Sequence, residues 1–321
     1  MREMFGSKLD SSKMGKRTKS AVALISNAIA EKRLDLAEEA NNLAEKVLTA
    51  TGVKVKASDR AGADKGSAAT EYLIFIANRE VEQLADIAIA AFDEGKDPSK
   101  LKKEVAAVFH GKQAIDIACF GRMLADAPDL NTDASAQVAH AFSIDQITPE
   151  YDYFTAVDDC ASDDNAGAAM IDTVGFNSST LYRYATLNVD ALRDQLQDAD
   201  AMVEGVSAFV EAFVKSMPSG KQNTFANHTL PEDIVIVLRD SQPISAADAF
   251  ENPIKRKDGI SVSRQGIERL GDRLNEIRIN YGEEPVKAWH VVSGGSVPSL
   301  DEWSEQVTLP ELEQSLRETL S

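Results

Sequence analysis

Residues 113–186 constrain this chain more than any other stretch, because they interrupt two long helical regions with segments that do not read as helix. The first segment runs Gln113-Ala-Ile-Asp-Ile-Ala-Cys-Phe-Gly-Arg-Met123. Ile115, Ile117 and Cys119 alternate with Asp116, Ala118 and Phe120, which predicts a strand, and Gly121 then permits a bend or bulge. Residues 125–175 are rich in Ala, Asp, Asn and Gly. A compact domain rarely holds so long an irregular stretch unless it is functional or mobile. Residues 180–186 alternate again and predict another strand. The reading is strand, protruding loop, strand, set between helices.

The flanks are more regular. Residues 18–112 read as almost wholly helical. Val22, Ile25 and Ile29 recur at helical spacing, and a second Ala/Leu-rich run ends at Gly52. A third helix is predicted over about 70–92, with Leu73, Ile76, Leu84 and Ile87 facing a core. A fourth is marked by Asp97 as cap, Pro98 at its first position and Gly111 after its end. Residues 188–217 return to helix, with Val203, Val206, Phe209, Val210, Phe213 and Met217 as one apolar stripe. The run 234–238 predicts a strand buried on both faces, 263–281 an amphipathic helix, and 286–292 a further strand. Ser299-Leu-Asp-Glu302 and Thr308-Leu-Pro-Glu311 are capping boxes that open two short closing helices. Strands interleaved with helices indicate an α+β fold around an antiparallel sheet of about four strands, with a helical insertion.

Charge cuts two ways. The 321 residues carry a net −18, which is unlike the basic footprint of most nucleic-acid binders. Net charge describes the long-range field, however, and not the sign of one groove. Arg2, Lys8, Lys13, Lys16, Arg17 and Lys19 cluster near the start, and Lys255, Arg256 and Lys257 are consecutive. Residues 145–172, by contrast, hold eight carboxylates and no Lys or Arg. No apolar run reaches the roughly 18 residues of a membrane span, and residues 1–20 lack a signal-peptide core. Cys119 and Cys160 make neither a disulfide framework nor a zinc site, which fits the reduced cytoplasm.

No catalytic constellation emerges. Asp158, Asp159, Asp163 and Asp164 could bind a divalent cation, but they lack the calcium-loop spacing and read as a solvated turn. His110, His140, His228 and His290 are scattered, with no His-x-x-x-His or His–Asp pairing. Cys119, on the buried face of its strand, is inert. Pro218-Ser-Gly-Lys221 reads equally as a helix stop and as a cradle for one phosphate. Tyr151, Tyr153 and Phe154 lie in the loop-rich segment, where aromatic faces could stack on bases for about 1–3 kcal/mol each. The plainer alternative has Phe154 and Val157 anchoring that loop on the core. No cofactor is indicated, and the chain is read as a non-enzyme.

Taken in order, several segments form a set. They are the 113–123 run, Val138-Ala-His-Ala141, Asp152-Tyr-Phe-Thr-Ala-Val-Asp-Asp159, Phe176-Asn-Ser with Tyr182-Arg-Tyr-Ala185, Gly220-Lys-Gln-Asn-Thr-Phe-Ala226, and Ala249-Phe-Glu251. With them the whole chain resembles the CasC-type backbone subunits of the type I-E CRISPR Cascade complex. The resemblance implies an RRM-like (ferredoxin-like) antiparallel palm, a helical fingers insertion and an extended thumb loop or hairpin. It implies copies polymerised along CRISPR RNA for antiviral defence, target DNA recognised through guide pairing, other Cascade subunits as partners, no membrane and no nuclease activity. On this chain it implies a remnant palm helix over 1–17, fingers over 18–112, a palm strand within 113–136, the thumb over 137–178, and the rest of the palm with closing helices over 179–321.

Carried over by motif, Arg122 and Met123 fall where the palm meets the guide backbone and the displaced base. Tyr153, Phe154 and Thr155 fall on the intercalating thumb segment. Lys221, Gln222 and Asn223 fall on a loop that approaches the guide, and Lys255, Arg256 and Lys257 are further candidates. Two departures stand out. Ile144-Asp145 follow Ser143 where family thumbs commonly carry Thr-His. The family's first palm strand, Gly-Gly-x-x-Arg loop and basic helix precede the point where Met1 stands, so the chain is expected to be N-terminally short. The competing readings are a truncated, non-functional relative and an unrelated α+β metal enzyme using the 158–164 carboxylates.

Overall fold

Alanine and β-branched residues decide the first hundred positions of the computed structural model, which describes residues 1–57, 68–156, 160 and 170–321. The elements are α1 (Arg2–Ser7), β1 (Gly15–Thr18), α2 (Ala21–Lys32), α3 (Ala40–Thr49), β2 (Val55–Ala57), β3 (Ala68–Thr70), β4 (Ile74–Ala77), α4 (Asn78–Asp93) and α5 (Lys102–Phe109). Val22, Ile25, Ile29, Leu43, Val47 and Leu84 meet in one core, the small alanines between them letting α2, α3 and α4 approach closely.

The stretch 70–92 is not a single helix. It holds the end of β3, a turn that exposes Leu73, the strand β4, and only then α4. All four residues of β4 are buried. Ile74 and Ile76 enter the helical core, while Phe75 and Ala77 pack with Ala114 and Ile117. A strand buried on both faces shows no alternation, so it merges with the apolar helix that follows. β4 pairs antiparallel with β1, from Gly15↔Ala77 to Thr18↔Ile74. Asp97 does act as a cap, but on the single turn Pro98–Lys100, and α5 starts later.

The predicted strand over 113–123 is instead a short helix, α6 (Ile115–Phe120). The Gly121 N–H closes it on the Ile117 carbonyl at 2.8 Å, and Gly121 leaves at φ +75°. Ile115, Asp116, Ile117, Ala118 and Cys119 are all buried, so the segment has no polar face from which its period could be read. Asp116 is buried because its Oδ1 accepts the Gly15 N–H at 2.8 Å, tying α6 to β1.

Six strands follow: β5 (Ala136–Val138), β6 (Phe142–Ser143), β7 (Glu150–Ala156), β8 (Met170–Phe176), β9 (Leu181–Tyr182) and β10 (Ala185–Leu187). The helix expected over 188–217 is two helices, α7 (Val189–Leu196) and α8 (Ala199–Lys215). They are separated at Gln197 (φ 49°) and capped by the Asn188 and Asp198 side chains. The remaining elements are α9 (Gln222–Phe225), β11 (Asp233–Leu238), α10 (Val262–Tyr281), β12 (Lys287–Val292), α11 (Pro298–Asp301), β13 (Glu305–Gln306) and α12 (Leu309–Leu320). α10 matches its amphipathic pattern, opened by a Ser261 cap and stopped by Gly282 at φ 67°. α11 is entered from Val297, with Pro298 at its first position, so Ser299 lies inside the helix rather than at its cap.

Among the described residues the largest sheet is β11-β12-β13, three strands rather than about four. β11 and β12 are antiparallel, from Asp233↔Val292 to Leu238↔Lys287, while β13 runs parallel to β12. β11 is half-buried along its length, not enclosed on both faces. The chain is thus a mixture of helices and small, mainly antiparallel sheets. It divides into two units, one of Met1–Gln137, Thr186–Leu230 and Pro310–Ser321, the other of Val138–Ala185 and Pro231–Leu309. In the first, Phe5 of α1 is fully buried and meets Phe120 edge-on at 5.0 Å. Lys8 and Lys13 pair with Glu211 and Glu204 of α8 at 2.7 and 2.5 Å. In the second, α10 packs through Ile267, Leu274 and Ile277 against Ala246, Val297 and Leu300.

Candidate nucleic-acid interface

β7 and β8 form a two-stranded ribbon of seven facing pairs, from Glu150↔Phe176 to Ala156↔Met170. Side chains alternate across a strand, so one face carries Tyr151, Tyr153, Thr155, Ile171 and Thr173, and the other Asp152, Phe154, Met170, Asp172 and Val174. Every residue of β7 is exposed, and Tyr153 and Phe154 keep 63% and 36% of their surface in solvent. A lone hairpin is marginal in water, and exposed apolar surface of this kind marks an interaction site. Phe154 therefore does not anchor the segment on a core. Val157 and the carboxylates Asp158, Asp159, Asp163 and Asp164 lie outside the described residues.

The base of the ribbon is firmly built. Ile144 is buried with Phe250 and Ile254, and a side chain at Gly266 would strike it at 2.5 Å. Asp145 is buried as well, its Oδ1 accepting from the Ser143 hydroxyl at 2.9 Å and from the Thr180 N–H at 3.1 Å. The two residues that depart from the family pattern thus serve packing and turn geometry. Lys255, Arg256 and Lys257 are exposed directly after Ile254, whose N–H donates to the Ile144 carbonyl at 2.8 Å.

In the first unit, Arg122 and Met123 have opposite fates. Met123 is 78% exposed, whereas Arg122 is 3% exposed and cannot touch a polyanion with its guanidinium in this structure. Nη1 donates to Glu80 Oε1 at 2.6 Å, Nη2 to the Phe109 carbonyl at 2.9 Å and Gln113 Oε1 at 3.2 Å, and Nε to the Leu130 carbonyl at 3.3 Å. The Arg122 backbone exchanges both hydrogen bonds with Thr132 at 2.9 Å. Glu80, itself buried, also accepts the Ala77 N–H at 2.8 Å. Burial pushes the Glu80 carboxyl up, against the pull of the Arg122 guanidinium and the Ala77 N–H. Arg122 thus joins β4, α4, α5 and the 130–132 segment, and so sets where Met123 emerges.

Lys221 and Asn223 are exposed and Gln222 is half-buried. Lys221 sits at φ 62° and starts α9. The Gln222, Thr224 and Phe225 N–H groups donate to the Ser219 and Lys221 carbonyls, so this turn spends its amides internally. The phosphate-cradle alternative therefore has few amides to offer. Of the expected contacts, Arg122, Met123 and Lys221 to Asn223 belong to the first unit, and Tyr153, Phe154, Thr155 and Lys255 to Lys257 to the second.

Two arrangements escaped the sequence. His290, fully buried on β12, does have a carboxylate neighbour: its Nε2 lies 3.0 Å from Asp301 Oδ1, without the alignment of a hydrogen bond. Its Nδ1 shares a 2.8 Å hydrogen bond with Ser304, whose hydroxyl reaches the Leu300 carbonyl. Ser304 is buried, so this Ser–His–Asp group fastens α11 to β12 and offers no nucleophile. The other is the exposed turn at Tyr72, whose carbonyl accepts from the buried Thr70 hydroxyl. Burial pushes the Cys119 thiol up to about 12, which removes it as a nucleophile. Among the described residues no three His, Cys, Asp or Glu side chains gather to hold a metal, and no helix is long and apolar enough to cross a membrane.

Residues 1–315 match the family model for CT1975-like proteins. A chain of a solved "CRISPR RNA-guided surveillance complex, pre-nicking" is 26% identical with a TM-score of 0.79, the match covering 100% of this chain and 88% of that one. A chain of another "CRISPR RNA-guided surveillance complex" is 30% identical with a TM-score of 0.58, over 64% of this chain and 78% of that one. No curated protein matches significantly.

Proposed function

The chain belongs to the CT1975-like family of CRISPR Cascade subunits, and from that premise we propose that it is a non-catalytic, RNA-binding backbone subunit of a type I-E complex. Copies polymerise along one CRISPR RNA, beside other Cascade subunits, and the guide pairs with the target DNA strand. The β7–β8 ribbon carries this reading: β7 is exposed along its length and the ribbon bears aromatic residues on both faces, in a chain that resembles surveillance-complex subunits. Tyr153, Phe154 and Thr155 slip between guide nucleotides. Stacking tolerates the ribbon's carboxylates, because it needs no cation at the base. Met123 meets the displaced base, and Arg122 acts behind it by holding its backbone. Lys221, Gln222, Asn223, Lys255, Arg256 and Lys257 supply phosphate and sugar contacts. The RRM-like palm corresponds to the strands β11 and β12 with their flanking helices, and the helical core of α2 to α5 to the fingers.

Co-expression with a CRISPR RNA and the companion subunits tests the proposal. The expected product absorbs strongly at 260 nm and is far larger than the 34.8 kDa chain. Phe154→Ala loads less guide and leaves it open to nuclease. A monomer free of nucleic acid refutes the proposal, and full guide protection in Phe154→Ala refutes the part given to the ribbon.

A further inference from the structure

A second exposed aromatic surface stands on the first unit. Tyr72 and Leu73 occupy the turn between β3 and β4 and are 51% and 57% exposed. Apolar side chains at a turn tip are ordinarily left loose, but this turn is pinned. The buried Thr70 hydroxyl donates to the Tyr72 carbonyl at 2.7 Å. The Thr70 N–H donates to the Lys19 carbonyl at 2.8 Å, and the Glu71 N–H to the Lys54 carbonyl at 2.9 Å. Tyr72 and Leu73 line a small hollow with Val53, Ile74, Leu124, Ala125 and one carboxylate, Asp126. Leu124 directly follows Met123, so the hollow adjoins the most exposed methionine of the motif.

Two lysines stand near this turn, each facing a carboxylate. Lys54 and Lys56 are well exposed, Lys56 bonding to Glu71 and Lys54 lying 3.6 Å from Asp126. The Glu71 carboxyl is held below its usual range, chiefly by the Lys56 hydrogen bond, with the charges of Lys54 and Lys19 adding to it. Lys56 and Lys54 thus stand beside the turn that carries Tyr72, each set against a carboxylate, in a chain of net charge −18. An immobilised aromatic beside lysines is the combination that holds single-stranded nucleic acid, the ring taking a base and the cations the flanking phosphates. A rigid platform also loses little freedom when the base arrives.

We propose that Tyr72, flanked by Leu73, Lys54 and Lys56, is a second stacking platform for a base of single-stranded nucleic acid. The platform is built from residues of the first unit alone. This rests on the reading that the chain works on a guide RNA. The base comes from the guide or from the target DNA strand, which share the relevant chemistry.

The test uses the assembly co-purified with CRISPR RNA. In one arm the guide carries 5-iodouridine; in the other, a 5-iodouridine target DNA strand is added. After irradiation, cross-linked peptides are mapped. Tyr72 is expected to cross-link in one arm, which identifies the strand. Tyr72→Ala weakens retention of that strand by roughly 5- to 150-fold, and Tyr72→Phe restores it. Lys54→Glu and Lys56→Glu lower the salt dependence of binding, by about 0.7 in log–log slope for each single-strand phosphate lost. Tyr72 is exposed, so unchanged helical circular dichroism is expected in all these variants. If guide loads normally, Tyr72 cross-links in neither arm and Tyr72→Ala holds both strands as before, this inference falls and the proposed function stands. If no guide loads at all, both fall.

Discussion

Replacing Arg122 with Met separates a buried structural arginine from a guide-contacting one. The side chain donates to Glu80, Phe109, Gln113 and Leu130, and reaches the Thr132 hydroxyl at 3.3 Å. Methionine fills much of the same volume but leaves the Glu80 carboxylate, 1% exposed, without its counter-charge. Breaking a buried pair from one side costs about 3–5 kcal/mol, a large part of the roughly 5–15 kcal/mol that holds a typical domain. At a urea slope near 2 kcal/mol per molar, the midpoint falls by about 1.5–2.5 M. Helical circular dichroism is the right probe. Both tryptophans, Trp289 and Trp303, lie in the second unit, whereas Arg122 lies in the first. Removing the orphaned charge in Arg122→Met with Glu80→Gln should recover part of the loss, since an unpaired amide is cheaper to bury than an unpaired carboxylate. Arg122→Lys keeps the charge but not the fork, and should fall between. A single Arg122→Met variant that unfolds within about 1 kcal/mol of the parent, yet no longer binds guide, would refute the structural role and return this residue to the RNA surface.

Two further outcomes follow from geometry. Burial pushes the Asp233 carboxyl up to about 6, with Glu232 adding to the shift and Arg264 opposing it. Its contribution to stability is full below the unfolded value of 3.8 and is lost as pH rises through about 6. Asp233→Asn should therefore stabilise the second unit at pH 7–8 by no more than about 1 kcal/mol, the residue being half-exposed and screened, and should make no difference below about pH 4. Tryptophan fluorescence reads this, because β11 pairs Ile236 with Trp289, and a variant less stable at pH 8 would contradict it. Gly121→Ala places a methyl 3.0 Å from the Thr132 carbonyl at a backbone φ of +75°. A loss of more than about 1 kcal/mol is expected by urea titration, and a loss below about 0.3 kcal/mol would show that the 121–132 link yields freely.

Where one face of an element meets solvent, its period was readable. The stripe Ile267, Leu274 and Ile277 marked α10. Where both faces are buried the period vanished. β4 disappeared into the helix after it, and α6 imitated a strand because Asp116, which ought to have marked a wet face, is buried against Gly15. The same effect misplaced Arg122. Within the Gly-Arg-Met motif a cation suggested phosphate, and only the acceptors arriving from Glu80 and Phe109, 42 and 13 residues away, show that it faces inward. Tyr153 and Phe154 entered as binding candidates through their order among the other motifs, since composition alone favoured an anchoring role, and the structure shows both exposed. Tyr72 left no trace, because its meaning depends on Thr70 of β3 and on Lys54 and Lys56 at β2.

The first unit is discontinuous, and this sets an order of assembly on the ribosome. The core of α2 to α4 draws on residues close in sequence, so it can close soon after it emerges. α1 cannot finish so early. Phe5 needs Phe120, which in turn meets Phe209 at 6.3 Å, and Lys8 needs Glu211, 203 residues further on. At about 5–20 residues per second, the amino-terminal helix waits roughly 10–40 s for its partner helix to be made. For that interval a phenylalanine and a basic segment stand unshielded while the intervening chain, including the Val138–Ala185 part of the second unit, is still being synthesised. Whatever reaches α1 in that window, a chaperone or a nascent neighbour, does so before α8 can cover it.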